Sequence, residues 1–387
     1  MTANRKLFFL CSFCIFVGII ASYSLTTYTV LQFGYSHFHF FIRQLIVGLI
    51  SIFIMWFLAR LDPDKYFLPI GFSIFFIFFS AIVILSFLPE SLAVSAGGAK
   101  RWIRLPGISL APTEFFKVGF VVALAWSFER QIKLDKETVI QELLSLIRYF
   151  VVFLVIVYFI LIEQNDFGQT IVLGTVLIIM IFFAGISVRF FTVLGAFSVA
   201  MAIVLIRFSE NKLTRFKLWW SHVQDFVLRL LPDNIADFLR AEKMPEQYQL
   251  SHSLNAINHG GLFGNGIGNG LEKLGPLSEI HTDFVLAGIS EEIGAIAVII
   301  IALIFFVIIH TIFKIANRCE NKTHTLFALG VGFLMIFAPF MINAFGIMGI
   351  TPIKGIAVPF ISYGGSSLLA TSIGIGMVLM ISKKAKP

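Results

Sequence analysis

Long apolar runs constrain the fold of this chain more than any other feature of its sequence. A helix needs roughly 20 apolar residues to cross about 30 Å of hydrocarbon, and ten stretches of the sequence fit that requirement, although one of them, 113–128, is short and polar at one end. In chain order the ten stretches are 8–31, 40–59, 67–88, 113–128, 147–162, 168–187, 190–208, 284–313, 325–350 and 362–382.

The composition excludes a soluble globular protein. Hydrophobic residues make up 58% of the 387 residues and charged residues only 13%, which is more apolar surface than a soluble domain can hide from water. The sequence shows no second soluble domain and no clear internal repeat. It therefore predicts an all-α polytopic membrane protein with about ten transmembrane helices, built as a single domain over residues 1–387.

Lysine and arginine in the short loops predict the orientation of the chain. With the N-terminus inside, the short inner segments are rich in basic residues, whereas the three short outer loops carry only Arg43 and Lys354. Both termini are therefore predicted to be cytoplasmic, and residues 209–283 form a large outer loop between helices 7 and 8. Many of the other basic residues fall in two longer outer segments, 100–117 and 207–273. So many outer cations would suit an anionic ligand.

The first outer segment gathers its cations beside a tryptophan: Lys100, Arg101, Trp102 and Arg104. Such a cluster at the membrane surface can contact anionic lipid headgroups. It can equally hold a lipid-linked pyrophosphate, whose charge suits the arginine fork and the lysine point charge. The residues alone leave both interpretations open. Glu114 and Lys117 follow three residues apart on one helix face, and a structural ion pair is the simplest interpretation of these two.

Isolated carboxylates stand at the starts of two predicted spans. Asp166 opens the sixth span, where capping of the helix and a functional role remain open alternatives. Asp283 opens the eighth span, and the neighbouring His281 favours a functional site there. Glu291 and Glu292 follow inside an apolar helix, where ionisable side chains are costly. We expect these two to pair internally with a Lys or Arg of another span.

The last outer loop, TPIKGIAVPFISYGGSSLLA, supplies a further positive charge, Lys354, ahead of a helix that begins near Ser366. Free N–H groups at such a helix end suit an anion, although a serine can cap the helix unaided. The glycine-rich stretch at 260–273 fits neither phosphate-binding loop motif, so no nucleotide or nucleic-acid binding is expected. The sequence has no Ser/His/Asp triad and no Cys/His metal set.

A carboxylate among cations suits base-assisted attack on a substrate with an anionic leaving group, because the cations stabilise the departing charge. This is the design of a transferase. The outer segments would have to meet in space for that chemistry, and the sequence alone does not place them together.

Four motifs of the chain resemble the SEDS family (shape, elongation, division and sporulation), which are ten-helix peptidoglycan polymerases. They are GGAKRWIRLPGISLAPTEFFK, QNDFGQT, the run from YQLSHSLNAINHGGLFGNGIGNGLEKLG to HTDFVLAGISEEIG, and PIKGIAVPFISYGGSS. The resemblance implies a glycosyltransferase that polymerises lipid II into glycan strands at the outer face of the bacterial cytoplasmic (inner) membrane, inverting the sugar and releasing undecaprenyl pyrophosphate.

The resemblance also implies roles for individual residues. Asp283 matches the essential aspartate of the family and would be the general base. The remaining candidates, which would bind substrate on the same resemblance or from the residue patterns above, are Lys100, Arg101, Trp102, Arg104, Glu114, Lys117, Asp166, His281, Lys354 and Ser366. No residue is assigned to a metal, and a divalent cation, Mg²⁺ or Mn²⁺, beside the pyrophosphate is the one candidate cofactor.

Within the family, Lys354 and Gly355 followed by PFISYGGSS are more similar to the FtsW branch, which acts in septal cell division, than to the RodA branch. The implied partners are a class B penicillin-binding protein (FtsI-like) and other division proteins. An elongation polymerase of the RodA type stays open as an alternative. So does a lipid II flippase, which would use the outer charges and a central cavity as a transport site. A non-catalytic scaffold would explain the spans but not the buried charges.

Overall fold

The structure is a computed structural model that describes residues 3–89, 92–96, 99–105, 108–131, 139–192, 195, 217, 219–221, 223–224, 228–229, 236, 240, 248–277 and 279–385. Most of the described chain is helical. The first seven helices are α1 (Ala3–Leu25), α2 (Thr27–Phe33), α3 (His39–Arg60), α4 (Pro63–Phe87), α5 (Pro112–Gln131), α6 (Val139–Val157, continued by a π-helix over Tyr158–Glu163) and α7 (Phe167–Phe183).

Six more helices lie in the part of the chain's second half that the structure describes. They are α8 (Tyr248–Gly260), α9 (Val285–Ile293), α10 (Ala295–Ala316), α11 (Lys322–Val331), α12 (Ala338–Ile347) and α13 (Gly365–Ile381). A π-helix at Gly332–Phe337 joins α11 to α12, so that one apolar helix runs over Lys322–Ile347.

Most of the predicted spans correspond to single helices of the described chain. Seven described helices are long and apolar enough to cross a membrane, and a shorter apolar helix covers Gly168–Phe183. The fourth predicted span corresponds to α5, whose 20 residues are mostly buried inside the protein. A helix enclosed by other helices can carry polar groups, which explains its weak apolar signal. Most of the seventh predicted span, 190–208, lies outside the described residues.

The prediction of one continuous helix over 284–313 is wrong. Gly294 has a φ of 99° and separates the nine-residue helix α9 from the membrane helix α10. Glycine adopts this backbone conformation without the strain that a Cβ atom would cause. The first predicted span, 8–31, is likewise divided between α1 and α2. Asp283 thus precedes a short separate helix rather than a membrane span.

Three short strands stand between α4 and α5, in a segment predicted as a loop. They are β1 (Ala93–Ala96), β2 (Ala99–Leu105) and β3 (Ile108–Leu110), and they form an antiparallel sheet in the order β1-β2-β3. The basic cluster lies on the central strand β2. Because successive side chains of a strand point to opposite faces, the sheet separates neighbouring cations of this cluster from one another.

Two contacts show which helix ends share a face of the bundle. The Nζ of Lys383, just after α13, donates to the carbonyl oxygen of Arg60 at the end of α3 (2.8 Å). At the other end, Ser24 near the end of α1 donates to the carboxylate of Glu292 (2.7 Å). The end of α13 therefore lies on the face opposite to α9 and Asp283. The assignment of that face to the cytoplasm stays a prediction.

Candidate active site

A cavity of about 510 Å³ opens among the predicted functional segments. Its wall is formed by β2, the first turns of α5, α7 and α13, the turn before α9 and the loop before α13. Eight of the eleven predicted site residues line it: Arg101, Trp102, Glu114, Lys117, Asp166, Asp283, Lys354 and Ser366. The outer segments that the sequence singled out therefore meet in space.

Arg101 and Asp166 join β2 to the start of α7. The Arg101 Nε lies 3.4 Å from Oδ2 of Asp166, and its guanidinium donates to the carbonyl oxygen of Asn165 (2.8 Å). Asp166 also caps α7, because its Oδ1 accepts the backbone N–H of Gln169 (3.1 Å). The expected cap is therefore present, and the same carboxylate lines the cavity.

A second charged pair lies deeper in the cavity. The Nζ of Lys117 is 2.8 Å from Oε2 of Glu114, and both side chains are largely buried. The Nε2 of Gln169 donates to Oε1 of the same glutamate (2.8 Å). The expected ion pair one helical turn apart is present, and Gln169 connects it to the Asp166 cap. A continuous polar chain therefore runs from Arg101 to Lys117 along one wall.

Asp283 faces this cavity from the turn that precedes α9. Its backbone carbonyl accepts from Nδ2 of Asn343 (2.6 Å), and the same amide donates to the carbonyl oxygen of Ile356 (2.8 Å). Asn343 thereby fixes the aspartate turn against the loop before α13. A Cβ atom on Gly355 would stand 2.8 Å from Oδ2 of Asp283, so the backbone approaches this carboxylate closely.

The environment of Asp283 favours its protonated form. Burial raises its pKa from 3.8 to about 7, the nearby Glu279 carboxylate adds to the increase, and Arg101 opposes it. Loss of hydration and a like charge both penalise the ionised carboxylate. A carboxylate with a pKa near neutrality is suited to accept a proton and to release it again at physiological pH.

Three predicted site residues do not line the cavity. The Nζ of Lys100 donates to the carbonyl oxygen of Leu88 (3.0 Å), away from Arg101 on the other side of the strand. Arg104 is exposed on β2. His281 is buried behind the wall, where its ring contacts Phe40 and Tyr363.

Burial lowers the pKa of His281, and Glu279 opposes this effect. A buried imidazole with a lowered pKa is neutral at pH 7, so it supplies no positive charge to the cavity. The structure therefore gives His281 a packing position rather than a place in the cavity lining.

Ser366 has a structural contact in addition to its place in the wall. Its Oγ accepts the backbone N–H of Ala111 (3.0 Å) and lies within reach of the carbonyl oxygen of Ser109 (3.4 Å). The hydroxyl thus ties the sheet and the start of α5 to the first turn of α13. The N-terminus of α13, with its glycines and serines, faces the cavity beside Lys354.

Four residues of the site are not among the candidates predicted from the sequence. Gln169, Glu279 and Gly355 line the cavity, and Asn343 supports it from behind. Gln169 follows Asp166 by three residues and so shares its helix face, which is a signal the motif QNDFGQT does contain. Asn343 lies 60 residues from the turn that it holds, and nothing in its local sequence indicates that contact.

The described residues contain no group of three or more His, Cys, Asp or Glu side chains arranged to hold a metal ion. Two of the cavity carboxylates, Asp166 and Glu114, are already engaged by Arg101 and Lys117. Asp283 and Glu279 are the remaining acidic side chains of the wall. Any divalent cation here would have to take most of its ligands from phosphate oxygens and water, as Mg²⁺ commonly does.

Known proteins that resemble this chain match it over nearly its whole length. The probable peptidoglycan glycosyltransferase FtsW of Helicobacter pylori strain 26695 is 49% identical over 388 residues, covering 100% of both chains. The protein of the same description from Trichlorobacter lovleyi is 33% identical and covers 95% of this chain and 90% of its own length.

Solved structures share the fold at lower identity. A chain of a peptidoglycan synthase complex, studied for its coordination of polymerization and crosslinking, superposes with a TM-score of 0.69 at 20% identity and covers 97% of this chain and 96% of its own. The rod shape determining protein RodA of Thermus thermophilus gives 0.63 at 19% identity, covering 98% and 97%. The profile of the FtsW/RodA/SpoVE family, described as cell cycle proteins, matches residues 4–387. The chain therefore belongs to the FtsW/RodA/SpoVE family.

Proposed function

We propose that the chain polymerises lipid II into glycan strands in this cavity, with Asp283 as the general base. It is a peptidoglycan glycosyltransferase of the FtsW type that acts in septal cell division at the outer face of the bacterial cytoplasmic membrane. One observation carries the proposal: Asp283 shares a cavity of about 510 Å³ with Arg101, Lys117 and Lys354. A base and several cations in one site match a reaction that removes a proton and releases an anion.

The reaction moves one proton and exchanges one bond. The Asp283 carboxylate takes the proton of the 4-hydroxyl group on the GlcNAc of one lipid-linked substrate. The freed oxygen attacks the anomeric carbon of the MurNAc on the other substrate from the face opposite to the phosphate. The carbon–oxygen bond to the pyrophosphate breaks, and its electron pair leaves with undecaprenyl pyrophosphate. Attack from the opposite face inverts the anomeric centre.

The elevated pKa of Asp283 supports this role. A base whose pKa lies near the working pH combines a useful ionised fraction with enough basicity to draw the proton. Arg101 lies close enough to oppose the rise in that pKa. The same guanidinium therefore favours the ionised base before the reaction and is available to the phosphates during it.

Arg101 is also the best placed phosphate ligand. Its Nε lies 3.4 Å from Oδ2 of Asp166 and one terminal nitrogen donates to Asn165, yet the side chain is 36% exposed. The planar guanidinium carries five N–H donors, more than these two contacts use, so it can also bind a phosphate oxygen. Lys117 contributes a point charge at the deep end of the cavity, and the N-terminus of α13 adds a positive dipole end.

A divalent cation fits the site only together with substrate. Glu279 would be the protein ligand of that cation, because Asp283 must stay free to take the proton, and the remaining positions would be filled by phosphate oxygens and water. When bound, such a cation would neutralise charge on the departing pyrophosphate. Removal of divalent cations by a chelator, followed by addition of Mg²⁺ or Mn²⁺, measures how much of the activity depends on it.

A class B penicillin-binding protein, FtsI-like, is the proposed partner, together with other division proteins. Support comes from the structural neighbour, which is a peptidoglycan synthase complex whose polymerization and crosslinking are coordinated. Its transpeptidase would crosslink the strands that this chain produces. Co-purification of the two full-length membrane proteins from detergent tests the pairing.

The decisive experiment supplies labelled lipid II to the purified chain and its penicillin-binding partner in detergent. Detergent has no two membrane sides, so transport of lipid II cannot be the activity that is measured. The wild type is expected to produce glycan chains and Asp283→Asn none. Asp64→Asn, at an exposed carboxylate near the opposite face, serves as the matched control and is expected to keep activity. Absence of product from the wild type under all conditions would refute the polymerase and favour transport of lipid II.

A further inference from the structure

The glycine-rich segment 261–274, called here the apolar loop, turns its side chains the opposite way from a loop in water. Its large apolar side chains are exposed: Leu262 (62%), Phe263 (81%), Ile267 (63%), Leu271 (60%) and Leu274 (51%). Its two charged side chains, Glu272 and Lys273, are only 6% and 3% exposed. Loops in water place charges outside and large apolar groups inside. This segment is built to meet an apolar medium.

The inward charges are fully engaged. The Nζ of Lys273 lies 2.5 Å from Oε1 of Glu292 at the end of α9, and Oε2 of Glu272 lies 2.7 Å from Nδ1 of His252. The carboxylate of Glu291 accepts the backbone N–H of Leu271 (2.8 Å). The two glutamates were predicted to pair with a Lys or Arg of another span, whereas their partners lie mainly in this loop. The apolar residues therefore face outward because the polar contacts fix the loop in that orientation.

The apolar loop is continuous with the lipid-facing surface of α10. The backbone N–H of Ala295 donates to the carbonyl oxygen of Gly261 (2.9 Å), which places Leu262 and Phe263 beside the first turn of that membrane helix. From there, exposed apolar side chains continue along α10: Ile296, Ile299, Ile300, Leu303 and Phe306. The apolar surface thus continues without interruption from the loop onto a membrane span. This continuity indicates that the loop and the span contact the same medium.

We propose that the apolar loop is seated in the outer leaflet of the bilayer, with Phe263 and its apolar neighbours in contact with lipid. The occupant of this surface is the lipid itself, because the surface merges with a span that must face hydrocarbon and presents no ionised side chain of its own. Contact of the apolar loop with lipid would also affect the position of the cavity. The loop holds Glu291 and Glu292 at the end of α9, and Asp283 precedes the start of that nine-residue helix. The bilayer thus helps to set the height of Asp283 relative to a lipid-linked substrate.

Nitroxide collision measurements on the full chain in lipid nanodiscs test the proposal. Phe263→Cys and Ile267→Cys are labelled separately in a Cys319→Ser background, since Cys11 and Cys14 are buried. Both labels are expected to collide more often with dissolved oxygen, which concentrates in lipid, than with a water-soluble nickel chelate. Leu303→Cys on α10 provides the lipid-exposed reference, and Lys65→Cys, at an exposed charged residue in the first turn of α4, provides the water-exposed one.

The outcomes separate the two media. Labels at positions 263 and 267 that behave like the Leu303 reference support the seat in lipid. Labels that behave like the Lys65 reference overturn the proposal. Labels that are reached by nickel in the chain alone, and become protected only after the penicillin-binding partner is added, also overturn it and assign the surface to that protein. A variant that elutes as aggregate is replaced by Leu271→Cys, which lies on the same exposed surface.

Discussion

The ion pair between Lys273 and Glu292 gives the sharpest test of how the outer loop is held. The two side chains are 3% and 4% exposed, and the Nζ of Lys273 also lies 3.3 Å from the hydroxyl of Ser24. Replacing Lys273 by methionine keeps most of the side-chain volume but leaves the Glu292 carboxylate buried without its cation. Removal of one partner from a buried pair costs about 3–5 kcal/mol.

That cost translates into a large shift in thermal stability. At about 2 °C per kcal/mol, the value for large domains, Lys273→Met lowers the melting temperature by about 6–10 °C. The double variant Lys273→Met/Glu292→Gln should recover most of the loss. Neither side chain of the former pair is then ionised, and the glutamine amide oxygen can still accept from Ser24. The assay is the thermal unfolding of purified protein in one detergent at one heating rate.

A surface pair provides the matched control. Lys384 and Asp64 are paired at the opposite face with about half of each side chain exposed, and exposed pairs contribute little to stability. Lys384→Met is therefore expected to have the same melting temperature as the wild type. The reasoning is refuted if Lys273→Met melts within about 1 °C of the wild type, or if the double variant is as unstable as the single one.

Three further predictions concern the cavity. Gly355→Ala should abolish polymerisation, because the added Cβ would stand 2.8 Å from Oδ2 of Asp283. Gly34→Ala is the control and should retain activity, because Gly34 has a similar positive φ (65° against 59°) but no neighbour within 4 Å. Equal losses of activity in the two variants would make backbone strain the cause. Arg101→Ala should lower kcat/KM for lipid II by about 10–100-fold through the loss of charge-assisted phosphate contacts, whereas Lys100→Ala, outside the cavity, should leave kcat/KM near that of the wild type; the reverse order would contradict the assignment. Folding raises the pKa of Asp283 from 3.8 to about 7, so the folded protein holds this proton more tightly than the unfolded chain. The contribution of Asp283 to stability therefore falls as pH rises from about 4 to about 7 and then stays constant. The difference in melting temperature between wild type and Asp283→Asn should change between pH 5 and pH 7 and be constant at higher pH.

Local patterns in the sequence predicted the features that depend on neighbouring residues. Apolar runs of about 20 residues located the membrane helices, since a lipid-exposed backbone must satisfy its hydrogen bonds within the helix. The spacing of Glu114 and Lys117 predicted their ion pair, and the position of Asp166 before an apolar run predicted its cap. Each of these features follows from contacts within one or two helical turns.

Contacts between distant segments could not be predicted in the same way. Lys100 and Arg101 look equivalent in the sequence, yet the strand β2 directs only Arg101 into the cavity. The cation paired with Glu292 proved to be Lys273 of the outer loop rather than a Lys or Arg of another span. The break at Gly294 was hidden because a glycine inside a long apolar run is also compatible with a continuous helix.

The pH dependence of kcat/KM for lipid II tests the central claim most directly, because this parameter reports the pKa of the essential base in the free enzyme. The account predicts a rate constant that rises about tenfold per pH unit below neutrality and levels off above the Asp283 pKa of about 7. A profile that is flat between pH 5 and pH 8, from protein that remains folded across that range, would contradict the assignment of Asp283 as the base.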